Sequence, residues 1–328
     1  MGGSAGTGDH TARGSSGNSS RRANGKGFKR RRLTLALAVV LVVAGCNKAG
    51  GADGGTLTVG GVGPLSQPGA VQAGQDMRWA MQAAVDDVNA AGGVLGRKVA
   101  LSFEDTQNQP AVAAAAARKL VEDKRVVGVV GEYHSGAALA QIPVYSEHGT
   151  PAVIVEAYND KITAGDPADP KLPPRPPSVF RIAPTSSYAN ALNVDRLTQG
   201  VHATDVVQLY EATDYGTGQA STLKKGLEGR GVTLTQIKVD LNQPDYSAIL
   251  QRVRQEHPAA TVFVFDVTGE SSYVIEQNAF GAGLLGPGKI CVANQAAQDA
   301  KAFWRAVPDG AGCLFRLAGP PPARRRTC

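Results

Sequence analysis

The sequence predicts an α/β protein of two doubly wound parallel-sheet lobes. Three observations carry this. Apolar, β-branched runs of strand length alternate with Ala-rich segments of helical spacing, an order that implies parallel strands joined by right-handed crossovers. The alternation comes in two series, separated by a Pro- and Asp-rich loop over residues 164–177. And 328 residues suffice for two ordinary domains.

In the first series, residues 56–61 read as a strand, and 62–69 as a Gly/Pro/Ser loop. Ala, Met, Trp79 and Val recur at helical spacing over 71–90, and the helix stops at Ala91-Gly92-Gly93. A strand follows at 98–103. Pro110 then opens an Ala-rich helix, where its missing N–H costs nothing. Residues 126–130 and 151–155 are the next strands, and 179–182 is a connecting strand that leaves the first lobe. The second series predicts strands at 205–210, 233–239, 261–267 and 289–293. Helices are expected at 187–198, 217–229, 246–255, 271–280 and 297–307.

Charge is distributed so as to exclude a nucleic-acid role. The net charge is +6, yet residues 1–45 carry eight Lys/Arg against Asp9 alone, which leaves the remainder at −1. Four more arginines lie in residues 316–328. Basic charge thus collects at the two ends and not on a folded face.

Residues 1–28 are Gly-, Ser- and Arg-rich and cannot form a core. Lys29-Arg30-Arg31-Arg32 then precedes a twelve-residue apolar run, 33–44, which is too short to span a bilayer and right for a signal-peptide core. Arg31-Arg32 also permits a twin-arginine reading. Small residues before Cys46 resemble a bacterial lipobox, so residues 1–45 are expected to be removed and Cys46 lipidated. Residues 46–55 form the tether. The expected location is outside the cell membrane, on a lipid anchor. Cys291, Cys313 and Cys328 have no metal-like spacing, and a Cys291–Cys313 bridge is left open. Neither a metal nor a cofactor is expected.

Chemistry concentrates at Val126–Gly136, where a strand turns through Gly131 into a helix at Ser135-Gly136. First-turn N–H groups lack intrahelical partners, so this helix start suits an anion such as a ligand carboxylate. The alternative is that Ser135 only caps its own helix. Residues 132–136 and 156–159 lie at strand carboxyl ends of the first lobe, and 214–218 and 266–270 do so in the second. Doubly wound sheets bind ligands at such ends. Enzyme readings are weaker. Gly61-Val62-Gly63-Pro64-Leu65-Ser66 lacks the third glycine of a dinucleotide fingerprint. His134 beside Ser135 has no Gly-x-Ser-x-Gly elbow.

Three blocks carry a resemblance. Gly63-Pro64-Leu65-Ser66, Val88 to Lys98 and Glu104-Asp105 are the first. Val129-Val130-Gly131, Ser135-Gly136 and Pro143-Val144-Tyr145 are the second, and Phe180-Arg181-Ile182 with Asp214-Tyr215-Gly216-Thr217-Gly218 the third. Together they resemble the leucine/isoleucine/valine-type solute-binding lipoproteins of ABC importers, over residues 56–314. The resemblance implies a Venus-flytrap, periplasmic binding protein type I fold that closes on a small ligand. It implies partnership with permease and ATPase subunits, and a monomer. Ser135 and Gly136 would hold the ligand carboxylate, Ala157 would offer its carbonyl, and Tyr215 would pack over the ligand. Tyr158 departs from the family threonine and Asn294 from the family acid, so Glu270 or Asp266 would have to compensate. The ligand is therefore expected to be a small carboxylate-bearing solute: an amino acid, an amino-acid-like compound or an amide. A ligand-sensing lipoprotein of the same fold is the alternative, ahead of an α/β enzyme. The family runs on for roughly another hundred residues, whereas Arg316 to Cys328 is a Pro/Arg tail. Lobe 1 is expected over 56–182, lobe 2 over 183–305, and 306–328 as a return to lobe 1 whose C-terminal part is missing.

Overall fold

The computed structural model describes residues 55–174, 176–293 and 300–315. Cys46, Asn294, the leader and the Pro/Arg tail lie outside them.

The first lobe is a five-stranded parallel sheet in the order β2-β1-β3-β4-β5. Its strands are β1 (Leu57–Gly63), β2 (Val99–Asp105), β3 (Val126–Gly131), β4 (Ala152–Ile154) and β5 (Val179–Arg181). The helices between them are α1 (Val71–Ala90), α2 (Pro110–Glu122), α3 (Ser135–His148) and the short α4 (Lys161–Ala164). Val62, Val129, Ile154 and Ala152 of the sheet pack with Leu120, Ile142 and Tyr145 of α2 and α3. The chain leaves β1 toward β2 on one side and returns to β3 on the other. The order therefore reverses between β1 and β3, and α3 begins there.

α1 forms where the spacing predicts, but it buries only Gly74 and Val85. Gly74 sits so close to the Pro64 backbone that a Cβ would collide with it. Trp79, on the same helix, is 76% exposed and is no part of the core.

The second lobe is a five-stranded parallel sheet in the order β10-β9-β8-β6-β7. It comprises β6 (Asp205–Glu211), β7 (Thr233–Val239), β8 (Val262–Asp266), β9 (Ile290–Ala293) and β10 (Cys313–Phe315). Around it lie α5 (Ser186–Asp195), which ends in a π-helical turn over Arg196–Gly200, then α6 (Asp214–Leu227), α7 (Ser247–Glu256), α8 (Gly269–Gly281) and α9 (Ala300–Ala306). β8 is buried along its whole length, as a central parallel strand must be. The strand order reverses here between β6 and β8.

Two expectations are corrected. Residues 306–315 do not return to the first lobe. β10 pairs in parallel register with β9, Cys313 opposite Cys291, and Val307 lies in the second-lobe core beside Phe303. That lobe therefore extends through Phe315, past the expected limit at residue 305. A disulfide joins Cys291 to Cys313 across this pair, with Cα atoms 4.5 Å apart. Second, residues 179–181 do more than connect. They pair with β4 and form an edge of the first sheet. Phe180, Ile182, Tyr188 and Leu192 stay exposed along this crossing.

Among the described residues, no helix is long and apolar enough to cross a membrane.

Candidate functional site

The two points of strand-order reversal face one another. From the first lobe come the β3–α3 turn and the segment after β4. From the second come the starts of α6 and α8.

Ser135 is the first residue of α3, and the N-cap position belongs to His134, whose side chain makes no capping bond. The simple capping role for Ser135 is thus not what the geometry has. Its Oγ instead accepts the backbone N–H of Asn159 at 3.2 Å, and the residue is 1% exposed. The first α-helical bond of α3 is Ala138 N–H to His134 C=O. The N–H groups of Ser135, Gly136 and Ala137 precede it and have no acceptor within the helix.

The turn ahead of this helix is held in place by buried groups. Glu132 is fully buried and has a φ of +80°, a conformation that costs an ordinary residue about 1–2 kcal/mol. Its carboxylate fixes that conformation. Oε1 accepts from Tyr133 N–H (3.0 Å), His134 N–H (3.2 Å) and Thr106 Oγ1 (3.3 Å), and Oε2 from Gln141 Nε2 (3.0 Å). Burial pushes the Glu132 carboxyl up to about 7, and these four hydrogen bonds oppose it. Burial also pushes His134 down to about 3, so its ring is neutral. His134 Nε2 accepts the Ala70 N–H at 3.2 Å and so ties the 67–70 loop to the start of α3.

Glu211, at the end of β6, is the counterpart in the second lobe. Its Oε2 accepts the N–H and Oγ1 of Thr268 at 2.6 and 2.7 Å, and Oε1 accepts from Thr213. Burial raises its carboxyl to about 7 against these bonds, and Asp266 adds to the rise. Tyr133 lies between the lobes. Burial, then the charges of Glu156 and Glu211, hold its phenol protonated.

Of the residues singled out from sequence, Ser135, Gly136, Ala157, Tyr158 and Tyr215 are gathered around this junction. Tyr158 and Tyr215 meet edge-to-face across the lobes with ring centroids 6.4 Å apart. Ala157 is fully buried beside Tyr158. A Cβ added to Gly136 would lie 2.9 Å from Asp214 Oδ2, which places a second-lobe carboxylate against the start of α3. Glu270 lies at the start of α8, beside His134. It is exposed and lines a crevice of ≈10 Å³ with Ala70, His134 and Leu241. Among the described residues no cluster of His, Cys, Asp or Glu could hold a metal ion.

Asn159 and Arg181 were missed as contributors. Arg181 Nη1 donates to the carbonyls of Tyr158 (3.2 Å) and Asn159 (2.8 Å), and Nη2 donates to Thr163 Oγ1 (2.5 Å). The Phe180-Arg181-Ile182 block signalled that Arg181 mattered but not what it touched. Asn159 Nδ2 donates across the lobes to the Asp214 carbonyl at 2.6 Å. No local pattern marks that bond.

Comparison with known proteins identifies the fold and the family. The periplasmic binding protein family model matches residues 56–303. An amino acid binding protein of Pseudomonas aeruginosa is 28% identical over 225 residues, 68% of this chain and 56% of that protein. A Leu/Ile/Val-binding protein homolog of Brucella abortus is 26% identical over 227 residues, 69% of this chain and 57% of its own length. The chain thus spans little more than half the length of these relatives. A leucine binding protein of Thermotoga maritima has the same fold, with a TM-score of 0.67 at 21% identity over 79% of this chain and 69% of that one. With its two α/β lobes of the type I fold, this chain belongs to the periplasmic binding protein family.

Proposed function

We propose that this protein captures a small carboxylate-bearing solute (an amino acid, an amino-acid-like compound or an amide) between its lobes and delivers it to the permease and ATPase subunits of an ABC importer. It works outside the cell membrane as a monomer, anchored by lipid on Cys46, and binds without turnover. In this reading Ser135, Gly136, Ala157, Tyr158 and Tyr215 contact the solute, and Glu270 and Asn294 read its other end.

The observation that carries this reading is the hydrogen bond from Asn159 N–H to Ser135 Oγ. Because Oγ accepts there, the serine proton is available to a second acceptor. It sits beside the N–H groups that open α3, so an anionic oxygen is the group best satisfied by the set. Family membership and the amino-acid- and leucine-binding relatives support the same chemistry.

Isothermal titration with three probes tests it: L-leucine, 4-methylpentanoate, which lacks the amine, and 3-methylbutylamine, which lacks the carboxylate. The first two should bind 1:1 and the third should not. Binding of the amine alone, or conversion of any probe to product, would sink the reading. Anchoring is checked separately by incorporation of labelled fatty acid, which Cys46→Ser should abolish.

A further inference from the structure

Segment 158–160 of the first lobe meets three things at once. Asn159 N–H donates to Ser135 Oγ at 3.2 Å. Its Nδ2 donates to the Asp214 carbonyl of the second lobe at 2.6 Å, while its Oδ1 accepts the Lys161 N–H at 3.0 Å. Its own carbonyl is held by Arg181 Nη1 at 2.8 Å, on the strand that leads out of the first lobe. The neighbouring residues meet the same crossing. Ser186 N–H donates to the Tyr158 carbonyl at 2.8 Å, and Ser187 N–H donates to Asp160 Oδ1 at 3.1 Å. Every polar group of Asn159 is thus engaged, and its side chain alone reaches the second lobe.

We propose that Asn159 is the positioning residue through which a ligand seated at Ser135 sets the angle between the lobes. This rests on Ser135 being a ligand contact. When the Ser135 hydroxyl donates to an anion, its oxygen becomes a better acceptor, since linked hydrogen bonds polarise one another. The Asn159 N–H is drawn toward Ser135, and the side-chain amide of the same residue carries the shift to Asp214 and the start of α6. Asn159 lies beside the crossing strand, close to the pivot. A small displacement there swings the lobe rims much farther. The chemistry needs a donor at Nδ2, because its partner is a carbonyl.

Asn159→Asp is the informative change. It keeps the acceptor for Lys161 N–H and the main-chain N–H to Ser135, while it removes the donor to Asp214 and sets a carboxylate oxygen against that carbonyl. L-Leucine affinity should fall about tenfold, through faster dissociation. Small-angle scattering should show a larger radius of gyration than the wild type, both free and with L-leucine. Gly218→Ala attacks the same bond from the other lobe, since an added Cβ would lie 3.0 Å from Asn159 Nδ2. It should open the molecule likewise, and alanine in a helix does not endanger folding. A purely structural role would lower the melting temperature and leave the scattering curve and dissociation rate unchanged; that result overturns the proposal. If the wild type binds neither L-leucine nor 4-methylpentanoate, the reading of Ser135 fails. Scattering of the free proteins then decides the lobe-angle role alone, and identical curves for wild type and both variants overturn it.

Discussion

Ser135 Oγ accepts a hydrogen bond from the main chain of Asn159, 24 positions along the sequence, and not from its own helix. A serine placed this way still has its own proton to donate to another acceptor. Ser135→Ala should therefore remove a charge-assisted bond to a carboxylate, worth about 1.5–3 kcal/mol, or roughly 10- to 100-fold in affinity. Titration should show the same loss for L-leucine and for 4-methylpentanoate. A loss confined to L-leucine would move the carboxylate away from Ser135.

Glu132 and Glu211 lead to a pH prediction. Both carboxyls are raised from 4.5 to about 7 by burial. In the folded protein they hold protons that the unfolded chain has released, so between about pH 4.5 and 7 folding takes up protons. The stability that follows is complete below about 4.5 and is lost as pH rises through 7. Carboxyls held low, such as Asp105, act only below their ordinary 3.8. His134, lowered from 6.5 to about 3, acts in the opposite sense: below 6.5 the unfolded chain binds a proton that the folded ring refuses, which offsets one of the two carboxyls and leaves a net uptake of protons on folding. The melting temperature should fall from pH 5 to pH 8, and Glu132→Gln should flatten the slope. A melting temperature that rises across the same range would contradict both assignments.

The bridge between Cys291 and Cys313 closes a loop with a sequence separation of 22. Loops of that size are stabilised by about 3 kcal/mol when cross-linked. Replacing both cysteines with alanine should shift the denaturant midpoint accordingly, and added reductant should reproduce the shift in the unmodified protein. Equal midpoints with and without reductant would show that the thiols are not joined.

Two glycines near the site should respond differently to alanine. A Cβ at Gly216 would collide with the backbone of Glu211, which cannot yield. Gly216→Ala should cost about 1–3 kcal/mol and displace Tyr215. A Cβ at Gly136 would meet only the end of the Asp214 side chain, at 2.9 Å. That carboxylate can turn aside, so Gly136→Ala should be the milder change by thermal melting. The reverse order would mean that the start of α6 is looser than the packing implies.

Much of this architecture was legible in the sequence because parallel sheets write a strong pattern. β8 reads as a short apolar run and is buried on both faces, and the run 126–130 became β3. The Ser135-Gly136 helix start and Tyr215 were legible as well, since a strand end followed by a helix start is local. What escaped was long-range or depended on burial. Asn159 reaches a backbone carbonyl 55 residues away, and a carbonyl has no sequence signature. Nothing in the local sequence marks Glu132 and Glu211 as buried, yet both are fully buried and each is bonded within its own lobe. β10 is only three residues long and gives no periodicity to read. Trp79 fits the helical repeat of α1, but a repeat says which residues share a face and not whether anything covers it.

That exposed indole has an optical consequence. The protein has two tryptophans, Trp79 in the first lobe and Trp304 in the second. Trp79 is 76% exposed and emits from a nearly aqueous setting whether or not its lobe is folded. Trp304 is 42% exposed and lies edge-on to Phe303 with ring centroids 5.0 Å apart, and Phe303 is fully buried in the second-lobe core. The intrinsic fluorescence of this molecule is therefore an asymmetric reporter. Its spectral shifts weigh the second lobe more than the first, so a denaturation curve recorded by emission needs a second probe on β1 or β3 to report both lobes evenly.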